Sequence, residues 1–383
     1  MLYQTHARIH RNNIRFNLEG IRRAVGPQRK ILVAVKANAY GHGSVEVARL
    51  AERTGMDWLG VATVPEGLQL RQAGIRLPIL KLSPCFPEEM EAAAREKITL
   101  TVCERANVDA LAQVCRGSGL RADVHLKVDT GMGRIGVSVD EAPDLAVHIE
   151  RDCPGLRLEG IFTHLPVSDA ADVEYTRGQI GRFKAAVDAV QIAIGRKVDL
   201  VHCANSGAVL GHEPGWLDMV RPGIMVYGFY PDEGTPQTIP LKPGLSFLTR
   251  VSFLKKVKAG ESVGYGRTWF APEDTWIATI PAGYADGFNR LFSNRGRVLI
   301  RGCSYPIVGR VCMDQSMVNL GPETDVQVGD EVVLIGKSGD EEISAYEWAR
   351  ALGTITYEVT CQINSRVERV YEGEFPIEEA IHE

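Results

Sequence analysis

Residues 31–43, Ile-Leu-Val-Ala-Val-Lys-Ala-Asn-Ala-Tyr-Gly-His-Gly, decide how the rest of the chain is read. The first five form an unbroken apolar run rich in branched side chains, the mark of a strand buried on both faces. Lys36 stands at its end. A glycine-punctuated turn follows, then Ser44 as N-cap for an amphipathic run over residues 45–53. A lysine is thus expected at the carboxyl end of a buried strand, where an ammonium is costly to desolvate. Two readings are open here. The lysine snorkels into solvent, or its amine is kept neutral enough to form a Schiff base with a carbonyl.

The same alternation continues outward. Upstream, residues 5–10 predict a short strand and 12–25 a helix with Ile14, Leu18 and Ile21 at helical spacing. Downstream, strands are expected over 58–64, 77–82, 98–102, 122–128, 158–162, 198–203 and 219–227. Helices are expected over 65–73, 88–95, 104–115, around 142–149, and over 175–194. No Gly-x-Gly-x-x-Gly follows the first strand, which argues against a dinucleotide-binding sheet. Counting from residue 31, the strands make eight β/α units over about 230 residues, the size of a (β/α)8 TIM-type barrel. Lys36, the loop 129–136, His164, Asn205-Ser206 and Arg221 all fall at strand ends, on the face where barrel enzymes keep their sites.

After Phe229 the composition shifts. Pro231, Gly234, Pro236, Pro240, Pro243 and Gly244 make a turn-rich linker. Short alternating runs then predict strands over 246–257, 276–280, 297–300, 305–311, 316–319 and 331–335, with one helix at 344–352. Two domains follow: a barrel over 1–239 and a mainly β domain over 240–383. The fold class is α/β, with an N-terminal barrel and a C-terminal β domain.

The bulk numbers narrow the function classes. With 383 residues, 45% hydrophobic, 24% charged and a net charge of -5, the chain is an ordinary globular protein without a polybasic tract. Nucleic acid and anionic membrane are therefore not expected as partners. No apolar run approaches a membrane span, and the amino-terminal residues do not read as a signal peptide. The eight cysteines are scattered without CxxC spacing, which predicts buried thiols in a reducing compartment rather than disulfides or a zinc site. A cytoplasmic protein without a metal is expected.

Two small turns, Asn205-Ser206-Gly207 and Gly223-Ile224, sit where barrels commonly cradle a phosphate. Each alone is an ordinary tight turn. Together with a lysine on the first strand they point to pyridoxal 5'-phosphate across the barrel mouth. Arg221 at that mouth is either an ion-pair partner or a group facing the cofactor's pyridine nitrogen. An arginine does not readily give up its proton. It would leave the pyridine largely unprotonated, which suits a brief carbanion and disfavours transamination.

Residues 35–43 resemble the cofactor-lysine signature of bacterial alanine racemases. Further matches are residues 127–136, Thr163-His164, Asn205-Ser206, residues 220–224, 264–268, 283–287, 311–314 and 357–359, in family order over essentially the whole chain. The resemblance implies a pyridoxal-phosphate barrel with a C-terminal β domain, working as a homodimer with shared sites.

By that resemblance Lys36 holds the cofactor and is the base on one face of the substrate α-carbon. Tyr265, from the partner subunit's β domain, serves the other face. Tyrosine has an unperturbed pKa of about 10, so its surroundings must lower it for work near neutral pH. Arg221 with His164 is the implied lever. Tyr40 and Tyr357 correspond to phosphate contacts, with Ser206, Gly223 and Ile224; His164 and Asn205 belong to the same cofactor site. Arg134 corresponds to the residue touching the cofactor's phenolic oxygen and the substrate carboxylate, and the Met313 backbone helps to bind that carboxylate. Tyr284, with Tyr357, resembles the inner gate of the access channel, and Asp314 lies beside this network. The counterpart of Lys127 is often carbamylated, which turns a cation into an anion that orients Arg134. One departure is Leu165-Pro166-Val167-Ser168-Asp169, where the family more commonly has an aromatic and small residues before Ala-Asp.

The implied activity is racemisation of L- and D-alanine, a small-molecule substrate, supplying D-alanine for peptidoglycan. The alternatives are a serine or broad-spectrum racemase, against which Tyr357 argues by filling the room a hydroxymethyl group needs, and a decarboxylase of the same barrel class, which needs no second base such as Tyr265.

Overall fold

The computed structural model describes residues 2–374. Two compact units emerge. One comprises residues 13–39 and 43–242; the other comprises residues 2–12, 40–42 and 243–374. Residues 375–383, which the sequence reading assigns to the second domain, lie outside the described residues.

The first unit holds eight parallel strands: β2 (Lys30–Ala34), β3 (Trp58–Val61), β4 (Ile79–Lys81), β5 (Ile98–Val102), β6 (Ala122–Lys127), β7 (Leu156–Phe162), β8 (Leu200–His202) and β9 (Met219–Val220). Each of β2 to β7 pairs with its successor, and β9 pairs back onto β2. The seam between β8 and β9 is bridged by Asp218 N–H to Val201 O at 3.1 Å and Arg221 N–H to Ala204 O at 2.8 Å. The sheet therefore closes on itself, as the strand–helix alternation predicts. Leu32, Trp58, Leu80, Leu200 and Met219 pack together with Leu82. Each such side chain removed from water contributes about 1.5–3 kcal/mol. Within the expected span 219–227 only two residues pair as a strand; Ile224–Tyr227 is a 3-10 turn.

Outer helices are held by ordinary devices. Thr63 and Glu66 form a capping box at Val64–Gln72. His148, on helix Ala142–Asp152, bridges Asp152 Oδ2 at 2.8 Å and Asp109 Oδ1 at 2.6 Å, the latter on helix Arg105–Ser118. Asp152 and then Asp109 raise its pKa above the usual 6.5, against burial and Arg105. A raised folded pKa contributes stability that is fully present below pH 6.5 and disappears as pH rises through the folded value. Melting of wild type and His148→Gln, followed from about pH 6 to about pH 9, should therefore show the wild type's advantage shrinking on the alkaline side.

The second unit is built on a ten-stranded sheet. Strand β1 (His6–His10) lies between Leu245–Arg250, antiparallel, and Glu368–Glu372, parallel. A single cut at residue 240 would leave this strand with the barrel; its pairing puts it in the second unit. Two local expectations are corrected. The run 246–257 is two strands, Leu245–Arg250 and Phe253–Val257, parted at Val251 and Ser252. A second helix, Thr356–Cys361, follows Ala345–Leu352. Its six residues are too few to display a helical period in sequence.

None of the eight cysteines forms a disulfide. Cys85, Cys115, Cys153 and Cys203 are buried as expected, but Cys303 and Cys361 are exposed, which the expectation of buried thiols did not include. No helix among the described residues is long and apolar enough to cross a membrane.

Candidate active site

Lys36 follows β2 and opens an unusual turn. Ala37, Asn38, Ala39 and Tyr40 have φ of 50, 53, 54 and 53°, four consecutive left-handed residues without a glycine. Left-handed helical backbone costs roughly 1–2 kcal/mol per residue. Such strain survives where surrounding bonds over-determine it, and it gathers at functional positions. Here Ala37 N–H donates to Glu66 Oε1 at 2.7 Å, Ala39 N–H to Val35 O at 2.8 Å and Gly43 N–H to Asn38 O at 2.8 Å. Asn38 Oδ1 also accepts from Ser44 N–H at 2.9 Å. Ser44 is thus the first residue of helix Ser44–Arg53 and not its cap; Gly43 holds the cap position, and Asn38 Oδ1 takes up the Ser44 N–H from the turn.

Arg221 is 5% exposed, just beyond β9. Its Nη1 donates to His202 Nδ1 at 2.8 Å. Its Nη2 donates to Thr163 O at 2.8 Å, Cys203 O at 3.1 Å and His164 Nδ1 at 3.3 Å. Among the described residues no carboxylate pairs with it, so a whole positive charge is held by neutral acceptors. Burial lowers its pKa to about 10, still far above neutrality. Burial first, and then the charges of Arg221, Lys127, Arg134 and Lys36, push His164 well below its ordinary pKa. His164 is therefore neutral and accepts through Nδ1.

Lys127 ends β6 and is 3% exposed, its Nζ 4.4 Å from the centre of the Phe162 ring. Arg221 lies over the same ring at 5.3 Å. Burial, then Arg221 and Arg134, drive the Lys127 amine well below its ordinary pKa. The following loop is braced by Asp129, whose carboxylate accepts from the N–H groups of Gly131, Met132 and Gly133 at 2.9 Å each. Those bonds outweigh the cost of burial and hold Asp129 below the usual carboxylate range. Arg134 is exposed at the tip of this loop.

The two small turns meet. Ser206 Oγ accepts from Gly223 N–H at 2.9 Å, and Gly223 precedes the 3-10 turn that begins at Ile224. Asn205 Oδ1 accepts from Ala208 N–H at 3.1 Å and from Ser168 Oγ at 2.6 Å, and its Nδ2 donates to Leu165 O at 2.9 Å. The atypical 165–169 loop is therefore pinned by Asn205. Gly207 lets the two segments touch, since a Cβ there would lie 2.7 Å from Ser168 Oγ.

In the second unit, Tyr265, Tyr284, Met313 and Asp314 line one cleft of about 810 Å³ with Arg290 and Arg310. Tyr265 is 73% exposed. The cleft wall is tied by two backbone bonds: Tyr284 N–H donates to Cys312 O at 3.1 Å and Ala285 N–H to Met313 O at 3.0 Å. Arg366 bonds the fully buried Asp286 through Nε at 2.7 Å and reaches Asp314 through Nη1 at 2.8 Å. Tyr40 and Tyr357 face each other with ring centres 5.9 Å apart. Burial raises the Tyr40 phenol pKa, so its hydroxyl keeps its proton.

Three residues were not among the sequence candidates: His125 and Glu159, together with His202 beside Arg221. His125 precedes Lys127 by two positions on one strand. That period-two placement on an inward face was the available signal. Nothing local marks their mutual contact.

The residues present fit pyridoxal phosphate. A buried arginine without a carboxylate suits a ring nitrogen that carries no proton, a lysine stands at a strand end, and a serine hydroxyl meets the glycine turn that opens a helical segment.

Comparison with known proteins identifies the family. Residues 9–231 match the alanine racemase N-terminal domain, and residues 245–371 the alanine racemase C-terminal domain. An alanine racemase of Cutibacterium acnes is 49% identical over 372 residues, covering 97% of this chain and 98% of the relative. Another, of Desulforamulus reducens, is 44% identical over 96% of this chain and 98% of its own length. Among solved structures, the Clostridium difficile 630 alanine racemase superposes with a TM-score of 0.93 at 38% identity, covering 97% of this chain and 96% of that one. The Bacillus anthracis alanine racemase with bound L-Ala-P gives 0.93 at 36%, covering 99% and 97%. Matched along both domains and nearly end to end, the chain belongs to the alanine racemase family.

Proposed function

We propose that this isomerase interconverts L- and D-alanine with pyridoxal 5'-phosphate and two bases, Lys36 and Tyr265, on opposite faces of the substrate α-carbon. The single observation that carries the reading is Arg221, buried and charged with no carboxylate partner among the described residues. Bound, the cofactor supplies a conjugated ring that takes up the electron pair left when the α-proton departs. Because Arg221 keeps its proton at neutral pH, it would hold the cofactor's ring nitrogen without donating a proton to it. Lys36 holds the cofactor and moves the proton on one face. Tyr265, contributed by a second copy of the chain, moves it on the other.

Tyr40, Tyr357, Ser206, Gly223 and Ile224 bind the phosphate, and Asn205 fixes the turn that carries Ser206. His164, a neutral acceptor from Arg221, steadies the guanidinium. Arg134 and the Met313 backbone hold the substrate carboxylate. Tyr284 narrows the access channel, and Asp314, tied to Arg366, braces the Met313 segment. In this reading the barrel carries the cofactor and the β domain completes the neighbour's site in a homodimer. The enzyme works in the cytoplasm and supplies D-alanine for peptidoglycan.

Lys127 adds a modification. An amine must be neutral to attack carbon dioxide, and the burial and cations around Lys127 favour that form. Its nitrogen bonds the carbon, a proton leaves, and the resulting carbamate is an anion facing Arg134. A crystal grown at neutral pH should show the carbamate; a plain amine there would refute it.

Gly283 gives a steric test of the Met313 segment. A Cβ at residue 283 would lie 2.3 Å from Met313 O and 2.4 Å from Cys312 O, both backbone atoms. Gly283→Ala must displace that segment. KM for alanine should rise about tenfold or more, since a shift of about 1 Å costs up to about a hundredfold.

The decisive experiment follows α-carbon deuterium exchange of L-alanine together with optical rotation. Exchange with loss of rotation supports racemisation. Exchange with rotation retained removes Tyr265 from its role, and no exchange by the cofactor-loaded dimer sinks the alanine reading. L-serine run in parallel ranks the alternative substrate.

A further inference from the structure

The acceptor that Arg221 meets at His202 Nδ1 is the upper end of a longer chain inside the barrel. Arginine only donates, so His202 Nδ1 carries the lone pair at this 2.8 Å contact. A neutral imidazole has one N–H, which here must be Nε2–H. That nitrogen lies 2.8 Å from His125 Nδ1. His125 Nδ1 is then the acceptor and its proton sits on Nε2, which faces Glu159 Oε2 at 3.4 Å. Burial, foremost, keeps both rings in the neutral form this requires. Both are fully buried; His202 stacks on Phe162 at 4.8 Å, and Trp58 packs on His125 at 5.5 Å.

The backbone is shaped for this arrangement. Between Val124 and His125 the pairing of β6 with β7 slips, so that Val124 opposes Leu158 and His125 opposes Gly160. Glu159 is the extra residue of that bulge, a feature that re-aims a side chain. Gly160 leaves the space for the ring, since a Cβ there would lie 2.6 Å from His125 Cε1 and Nδ1. Glu159 is steadied by Arg157 Nη2 at 2.7 Å, and Thr99 Oγ1 lies 3.4 Å away.

We propose that Glu159 is a positioning residue for Arg221, acting through His125 and His202. Its carboxylate, 3.4 Å from His125 Nε2 but not in hydrogen-bond alignment with it, attracts the proton to that otherwise unpartnered nitrogen, which sets one tautomer in each ring and leaves His202 Nδ1 bare toward the guanidinium. Without that acceptor, the pair of rings has an alternative with both protons on Nδ1. That arrangement aims His202 N–H at an Arg221 N–H and pushes the guanidinium out of place. The proposal rests on the functional reading above only for what Arg221 faces in the reaction.

Long-range 1H–15N correlation on histidine-labelled holoenzyme reads the tautomers directly. The expected result is Nε2–H with bare Nδ1 in both His125 and His202. An Nδ1–H form or an imidazolium in either ring overturns the chain, whatever the enzyme's substrate. Glu159→Leu should lose the single-tautomer pattern and lower kcat about tenfold, the scale of supporting hydrogen-bond partners, with KM within about twofold. Glu159→Gln, whose amide oxygen still accepts, should restore both. Unchanged tautomers and kcat in Glu159→Leu overturn the role of Glu159. Should that variant not fold, the wild-type tautomers and a Glu159→Gln protein that fails to keep them decide the matter. Tautomers as expected in a protein that does not racemise alanine would leave the chain standing and refute the functional reading alone.

Discussion

Lys36→Ala should lower kcat for alanine racemisation by about a thousandfold or more, because in the proposed reading it removes both the cofactor's anchor and one of the two bases. Tyr265→Ala should cost on the order of 10²–10⁴, the range of a positioned acid–base group. The mixed dimer is the sharper measurement. A Lys36→Ala chain paired with a Tyr265→Ala chain contains one site with neither group and one with both. If half of the dimers are mixed, activity should return to about a quarter of wild type. No recovery from folded, well-mixed dimers would mean that each chain supplies its own tyrosine. A thousandfold loss in one variant alone would assign catalysis to a single base.

The second large effect is expected at Arg221, and it has two separable parts. Arg221→Ala leaves Thr163 O, Cys203 O and His202 Nδ1 without their donor. An orphaned buried acceptor costs about 1–3 kcal/mol, so the cofactor-free protein should lose on the order of 3 kcal/mol in urea unfolding. Catalysis should fall about a hundredfold besides, the scale set by loss of a preorganised charge. Arg221→Lys tells the two apart. It keeps a cation but replaces a planar fork serving several acceptors by a single ammonium. Stability should be partly recovered and activity much less so. Equal recovery of both would reduce Arg221 to a packing element.

The alternation of branched strands and amphipathic helices, and the polar residues closing those strands, were set by local spacing and stood in the sequence alone. Lys36, His164 and Arg221 were found that way, because a strand end is a local feature and a charged residue there is conspicuous; Lys127 was picked out only by the family resemblance. Other features depend on partners distant in sequence. Strand β1 pairs with segments more than two hundred residues away, so no window around residues 6–10 reveals its unit. The four left-handed residues after Lys36 contain no glycine to announce them; Glu66 and Asn38 bonds hold them in that form. The Arg221–His202–His125–Glu159 chain needed a one-residue slip between β6 and β7. Periodicity tells which face a side chain takes along its own strand, but the register of two strands is settled by how their side chains pack, and only the folded barrel fixes that.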